Sequence, residues 1–146
     1  MKIDSVIFDI DGVLANNDHR AHHLAPPDPD WDAFYEAMGL DDVYQEGWNL
    51  ARLLRQNYAI VLITGRPEKY RPHTMDWLDR KVIMHRELVM RPDADRNPGW
   101  MYKSERVDVL RRDGYDFKMA FEDNSTTVDM YRARDIPCFQ PRVEGR

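Results

Sequence analysis

The sequence has 146 residues, 42% of them hydrophobic, which suits one core and leaves no material for a second. A net charge of −5 argues against a basic face that tracks a long stretch of nucleic-acid backbone, so a nucleic-acid partner would be held by its end. No apolar run approaches the roughly 20 residues that span a bilayer, the first residues lack signal-peptide regions, and the one cysteine, Cys138, fits a reducing compartment, so a cytoplasmic protein without a membrane partner is expected.

The first strand is expected over 5–10, a continuous apolar run of the kind covered on both faces. It leads into Asp9-Ile10-Asp11-Gly12-Val13-Leu14, two carboxylates one residue apart and then a glycine that lets the chain turn. Strand alternation places Asp9 and Asp11 on one face, where like charges need a cation or a shared proton. Residues 15–30 read as a long polar loop containing His19, His22, His23 and Pro26-Pro27-Asp28-Pro29, and loops of this length commonly carry function. Asp30 is expected to cap a helix over 31–38 that Gly39 stops. A second helix is expected over 42–56, with Val43, Gly47, Leu50, Ala51 and Leu54 at helical spacing.

Tyr58-Ala59-Ile60-Val61-Leu62-Ile63 is another apolar strand, ending in Thr64-Gly65-Arg66-Pro67. Pro67, at a first helical turn, then opens a helix to about residue 78. A short strand over 88–90 precedes the turn-rich 91–99 and a helix over about 101–112. A strand over 117–121 ends in Glu122-Asp123-Asn124-Ser125, where Asn124 or Ser125 caps a further helix, and a last strand covers 136–140. Strand, helix, strand in succession predicts a parallel sheet. The whole of 1–146 reads as one domain, with 15–57 as a polar loop plus helical insertion.

The chemistry-bearing residues stand where strands end, which is where open parallel sheets place their sites. Phosphoryl transfer needs an in-line nucleophile and strong electrostatic stabilisation, and an aspartate can serve as that nucleophile. A second carboxyl can protonate the leaving oxygen and later deprotonate water. Two anions facing an anionic ester need a cation, and Mg²⁺ suits oxygen ligands. Asp123 offers a further carboxylate, while Thr64, the backbone at Gly65, and Lys103 can hold phosphoryl oxygens.

Plainer readings stand beside these. Arg66 could pair with Glu68 on the surface, and Arg91 and Arg96 could form a network with Asp93 and Asp95. Trp31, Phe34 and Tyr35 could stack a nucleobase or pack a helix against the core, and Trp100 has the same ambiguity. The three loop histidines lack a cysteine or carboxylate at a familiar zinc spacing.

Phe8-Asp9-Ile10-Asp11-Gly12-Val13-Leu14, Ile63-Thr64-Gly65-Arg66, Lys103 and Glu122-Asp123-Asn124 resemble, in order, the four motifs of the haloacid dehalogenase-like phosphatase superfamily. The resemblance implies an α/β fold, a three-layer Rossmann-like parallel sheet with a small helical insertion after the first strand. It implies Asp9 as nucleophile and Asp11 as general acid and base. Mg²⁺ would be held by Asp9, the Asp11 main-chain carbonyl and Asp123, and the phosphoryl group by Thr64 and Lys103. Thr64-Gly65-Arg66, Leu88-Val89-Met90-Arg91-Pro92 and Phe121-Glu122-Asp123-Asn124 with Met130-Tyr131-Arg132 further resemble the 3′-phosphatase domain of bacteriophage polynucleotide kinase.

That narrower resemblance implies phosphate recognition by Arg20 and Arg66, and removal of 3′-phosphates from nucleic-acid ends through an aspartyl-phosphate. The sequence departs from the family pattern at Val13, at Glu122 and at Gly99-Trp100. No Gly-x-x-x-x-Gly-Lys-Ser/Thr kinase loop occurs. One alternative is a nucleoside monophosphate phosphatase (a 5′-nucleotidase), which the acidic charge favours. Another is a catalytically inactive phosphate-binding interaction module, against which the intact Asp9, Asp11, Lys103 and Asp123 set argues.

Overall fold

The computed structural model describes residues 1–145. In chain order, β1 (Ile3–Phe8) is followed by β2 (Ala15–Asn16), a 3-10 segment (Asp18–Leu24), α1 (Trp31–Glu36), a second 3-10 turn (Ala37–Leu40) and β3 (Asp42–Val43). Then come α2 (Gln45–Leu54), β4 (Ala59–Pro67), a short 3-10 turn (Glu68–Tyr70), α3 (Arg71–Arg80) and β5 (Glu87–Arg91). The remainder is α4 (Gly99–Arg112), β6 (Tyr115–Phe121), α5 (Ser125–Ala133) and β7 (Cys138–Phe139).

Five strands form one parallel sheet in the order β5-β4-β1-β6-β7, with β1 in the middle. The apolar run of β1 is explained by this position, since both of its faces are covered. Val6 and Phe8 enter a core with Ala51, Trp77 and Leu78 of α2 and α3. Ile7 enters the opposite core with Val107 of α4 and Val128 and Tyr131 of α5. Two helical layers around a parallel sheet give the three-layer α/β architecture that the sequence implied. Among the described residues no helix is long and apolar enough to cross a membrane.

The insertion is more ordered than its composition suggested. Residues 15–16 and 42–43 form a two-stranded antiparallel ladder, Ala15 opposite Val43 and Asn16 opposite Asp42. Asp42 and Val43 therefore do not begin a helix as expected; Tyr44 N–H donates to Leu14 O at 2.8 Å, and α2 starts only at Gln45. Gly47 owes its place in the apolar stripe to close approach, because a Cβ there would lie 2.0 Å from the Val13 carbonyl oxygen. Pro67 also departs from expectation. It stays in β4, in register with Arg91, and α3 begins four residues later with Pro72 in its first turn. Asp30 and Asn124 cap as expected, accepting from Ala33 N–H and Thr127 N–H at 3.0 Å each.

Candidate active site

The carboxyl end of β1 delivers Asp9 and Asp11 to the rim of the sheet. Asp9 N–H still donates to Phe121 O at 3.0 Å, but the ladder then stops. Val13, Leu14 and Ala15 all donate to the Ile10 carbonyl, at 3.3, 2.9 and 2.9 Å. This turn replaces strand alternation and sends the two aspartates to different partners. Gly12 makes it possible with φ +84°, and a Cβ there would stand 2.0 Å from Asp123 Oδ2. Only glycine combines that backbone with that space.

Asp9 belongs to a buried acidic cluster with one cation. Lys103 Nζ lies 3.1 Å from Asp9 Oδ1 and donates to Glu122 Oε2 at 2.7 Å. Glu122 Oε1 accepts from the backbone N–H groups of Asp123 and Asn124, both at 3.2 Å, which fixes the turn out of β6. Oxygen atoms of Asp9, Glu122 and Asp123 come within 4.8 Å of one another. Burial and the Glu122 charge push the Asp9 carboxyl well up, against Lys103. The same two causes push Asp123 up to about 8. Burial also opposes Glu122 ionisation, but Lys103 outweighs it and holds that carboxyl below its usual value. Three carboxylates against one ammonium leave an excess of negative charge, and an all-oxygen donor set of this kind fits a hard divalent cation such as Mg²⁺.

Asp11 has the opposite surroundings. Arg20 Nη2 donates to Oδ1 at 2.6 Å, Arg66 Nη2 to Oδ1 at 2.8 Å, and Arg66 Nε to Oδ2 at 3.1 Å. Burial opposes ionisation here too, yet the guanidiniums of Arg66 and Arg20 overcome it and bring the carboxyl down to about 2. Both arginines are buried, at 0% and 1% exposure, so Arg66 is not a surface residue; Glu68 pairs with Arg71 instead. Thr64 is buried and accepts from Arg66 N–H at 3.1 Å, whereas Gly65 lines the open cleft.

Behind the arginines stands a carboxylate that sequence reasoning missed. Asp41 Oδ1 and Oδ2 accept from Arg20 Nε and Nη2 at 2.9 and 2.8 Å, and Asp41 Oδ2 lies 3.5 Å from Arg66 Nη2. Its Oδ1 meets His19 Nε2 at 2.6 Å, and its carbonyl accepts from Trp77 Nε1 at 2.9 Å. Nothing in the sequence separated Asp41 from Asp42. His19 is thus tied to this network, and the metal-capable group among the described residues contains none of the loop histidines.

Asp9, Asp11, Lys103 and Asp123 open onto a cleft of about 880 Å³. The insertion contributes Trp31 and Tyr35 to its wall, and α4 contributes Trp100. Residues after β7 close another side: Glu144 N–H and Gln140 Nε2 both donate to the Asp123 carbonyl at 2.9 Å. The Arg142 guanidinium lies 3.7 Å over the Tyr44 ring and pairs with Glu46.

The family model of the polynucleotide kinase PNKP phosphatase domain matches residues 3–144. The chain belongs to that family. A chain in the structure of the Pnkp1/Rnl/Hen1 RNA repair complex superposes on this phosphatase domain with a TM-score of 0.84 at 24% identity, covering 99% of this chain and 44% of its own. A second structure of a Pnkp1/Rnl/Hen1 complex gives 0.82 at 25% identity, covering 99% and 47%. A haloacid dehalogenase family enzyme from Bacteroides thetaiotaomicron, solved as a magnesium complex, gives 0.57 at 14% identity over 99% and 96%. The phosphatase domain thus spans less than half the length of the two Pnkp1/Rnl/Hen1 chains it resembles. No curated protein matches it.

Proposed function

We propose that this domain is a Mg²⁺-dependent phosphomonoesterase that removes 3′-phosphates from nucleic-acid ends. The reading rests above all on the unlike surroundings of Asp9 and Asp11. One carboxylate lies beside an ammonium in an acidic, cation-seeking cluster, and the other, on the same cleft, is gripped from behind by two buried guanidiniums. Family membership and the likeness to RNA repair chains support a nucleic-acid end over a free metabolite.

Asp9 is the nucleophile. Its carboxylate attacks phosphorus, the bond from phosphorus to the leaving oxygen breaks, and that oxygen takes a proton from the Asp11 carboxyl. Water then attacks the aspartyl-phosphate while Asp11 accepts its proton, releasing phosphate and restoring Asp9. Arg20 and Arg66 hold Asp11 ionised in the free protein from behind; a dianionic phosphate arriving in the cleft sets a like charge beside Asp11, which opposes that hold and lets Asp11 take up a proton. Lys103 compensates the charge on Asp9 and on the phosphoryl oxygens, and Gly65 completes the phosphate pocket above the buried Thr64, which holds the Arg66 N–H. Asp9, Asp123 and the Asp11 carbonyl would hold Mg²⁺, whose bound charge offsets the repulsion between these carboxylates and the ester.

The test is phosphate release from a 3′-phosphorylated oligonucleotide, its 5′-phosphorylated counterpart and free mononucleotides, each with Mg²⁺ or with chelator. Release from the 3′-ended oligomer, lost on chelation and in Asp9→Asn, is the expected result. Mononucleotides outpacing it by a wide margin would point to the nucleotidase reading instead.

A further inference from the structure

Of the four tryptophans in the sequence, two are structural and two are not. Trp77 is fully buried and its indole N–H donates to Asp41 O; Trp48 packs on the same core and donates to Lys81 O at 2.8 Å. Trp31 and Trp100 are instead 54% and 38% exposed, and both line the cleft that holds Asp9. Large aromatic faces left partly in water forgo the stabilisation of burial, so two of them on one cleft call for an occupant.

α1 shows how the first of these faces is held. Its aromatic residues divide the work: Phe34 turns inward, 6% exposed, and lies under the Arg20 guanidinium at 4.3 Å. Tyr35 stacks beneath Trp31 with ring centroids 6.0 Å apart and planes at 29°, and Phe34 meets the Trp31 edge at 5.9 Å. Trp31 is therefore fixed as a flat, half-exposed shelf, with its orientation set by two other rings. Trp100 comes to the same cleft from the first turn of α4, three residues before Lys103.

We infer that Trp31, seated on Tyr35, together with Trp100 forms a stacking subsite for the base of the nucleotide that carries the scissile phosphate. The occupant is a planar heteroaromatic base and not an aliphatic chain, because stacked rings reward a flat π-surface and accept any base. Recognition by stacking gives little sequence preference, as an end-processing enzyme would need. This assignment deepens the proposed function and rests on it for the identity of the substrate.

The experiment compares two matched pairs in the intact protein with Mg²⁺. One is a 3′-phosphorylated oligonucleotide with a normal or an abasic terminal nucleotide; the other is a nucleoside monophosphate and the corresponding ribose phosphate. The normal terminus is expected to exceed the abasic one in kcat/KM by roughly 5- to 150-fold, the range that loss of one stacked base covers. Trp31→Ala should collapse that ratio toward one, and Trp31→Phe should retain most of it; the half-exposed position makes both variants foldable. Equal turnover of the paired substrates by the unaltered protein, or an unchanged ratio in Trp31→Ala, overturns the subsite. Turnover confined to the mononucleotide pair with a Trp31-dependent ratio overturns the 3′-end reading and leaves the subsite standing.

Discussion

At the scale of the residue, the site is governed by how buried charges are shared. Removing one partner of a buried, hydrogen-bonded pair costs more than the pair contributes, because the other charge is left behind in a poorly solvating place. Arg66→Ala is therefore expected to lower stability by about 3–5 kcal/mol, and to lower kcat/KM for a phosphomonoester by about 30-fold or more; urea unfolding and steady-state kinetics check the two effects separately. The pH dependence follows from the depressed Asp11 carboxyl. Its folded value near 2 lies below the ordinary 3.8, so the unfolded chain takes up the proton first. The contribution is fully present above about pH 4 and is lost as pH falls toward 2. In Arg66→Ala the folded value rises toward the ordinary one, and this part of the acid loss should shrink in unfolding curves recorded at pH 5 and pH 3. Asp9, Asp11 and Asp123 were legible as candidates in the sequence because they follow strand ends, and Lys103 because the ordered motifs pointed to it at the start of a helix. Asp41 was not, because its meaning comes entirely from two arginines that only the folded chain brings to it.

At the scale of the element, short pieces of irregular backbone do what strands and helices cannot. The turn after β1 separates Asp9 from Asp11, and Gly12 sets its shape. Gly12→Ala would force a left-handed backbone on a residue with a Cβ and drive that Cβ into Asp123. An expected outcome is loss of most phosphatase activity together with about 1–3 kcal/mol of stability, read by activity and thermal unfolding of the same preparation. The 3-10 segment before α1 carries Arg20, and the turn after α1 carries Asp41, so the pair bridges both ends of the insertion's helical part. Asp41→Asn keeps the shape and removes the charge; it should raise KM more than it lowers kcat, since it acts by aiming Arg20 and Arg66. Apolar periodicity made the sheet strands and α2 readable. It failed at 42–43 and at Pro67 because both are decided by pairing with distant backbone, at residues 15–16 and at Arg91.

At the scale of the whole molecule, metal binding and stability are linked. A cation that binds only the folded state adds about 2.7 kcal/mol at one hundred times its dissociation constant, which for a domain of this size is roughly 5–10 °C in Tm. Mg²⁺ should raise Tm by this order in the unaltered protein and much less in Asp123→Asn, as followed by calorimetry without any substrate. The parallel sheet was legible from alternating strand and helix patterns and its three layers from the motif resemblance, whereas the cleft wall was not, because the same aromatic spacing serves a core or an open surface. The two-residue ladder between β2 and β3 has a wider meaning. It pins the chain shortly after β1 to the chain just before α2, so the intervening 17–41 form a cassette with a closed neck. The segment carries Arg20, Trp31 and Asp41, while Asp9, Lys103 and Asp123 belong to the frame. Such a cassette can be exchanged as a unit only if its replacement again brings a cation to Asp11, because Arg20 reaches from the cassette into the frame.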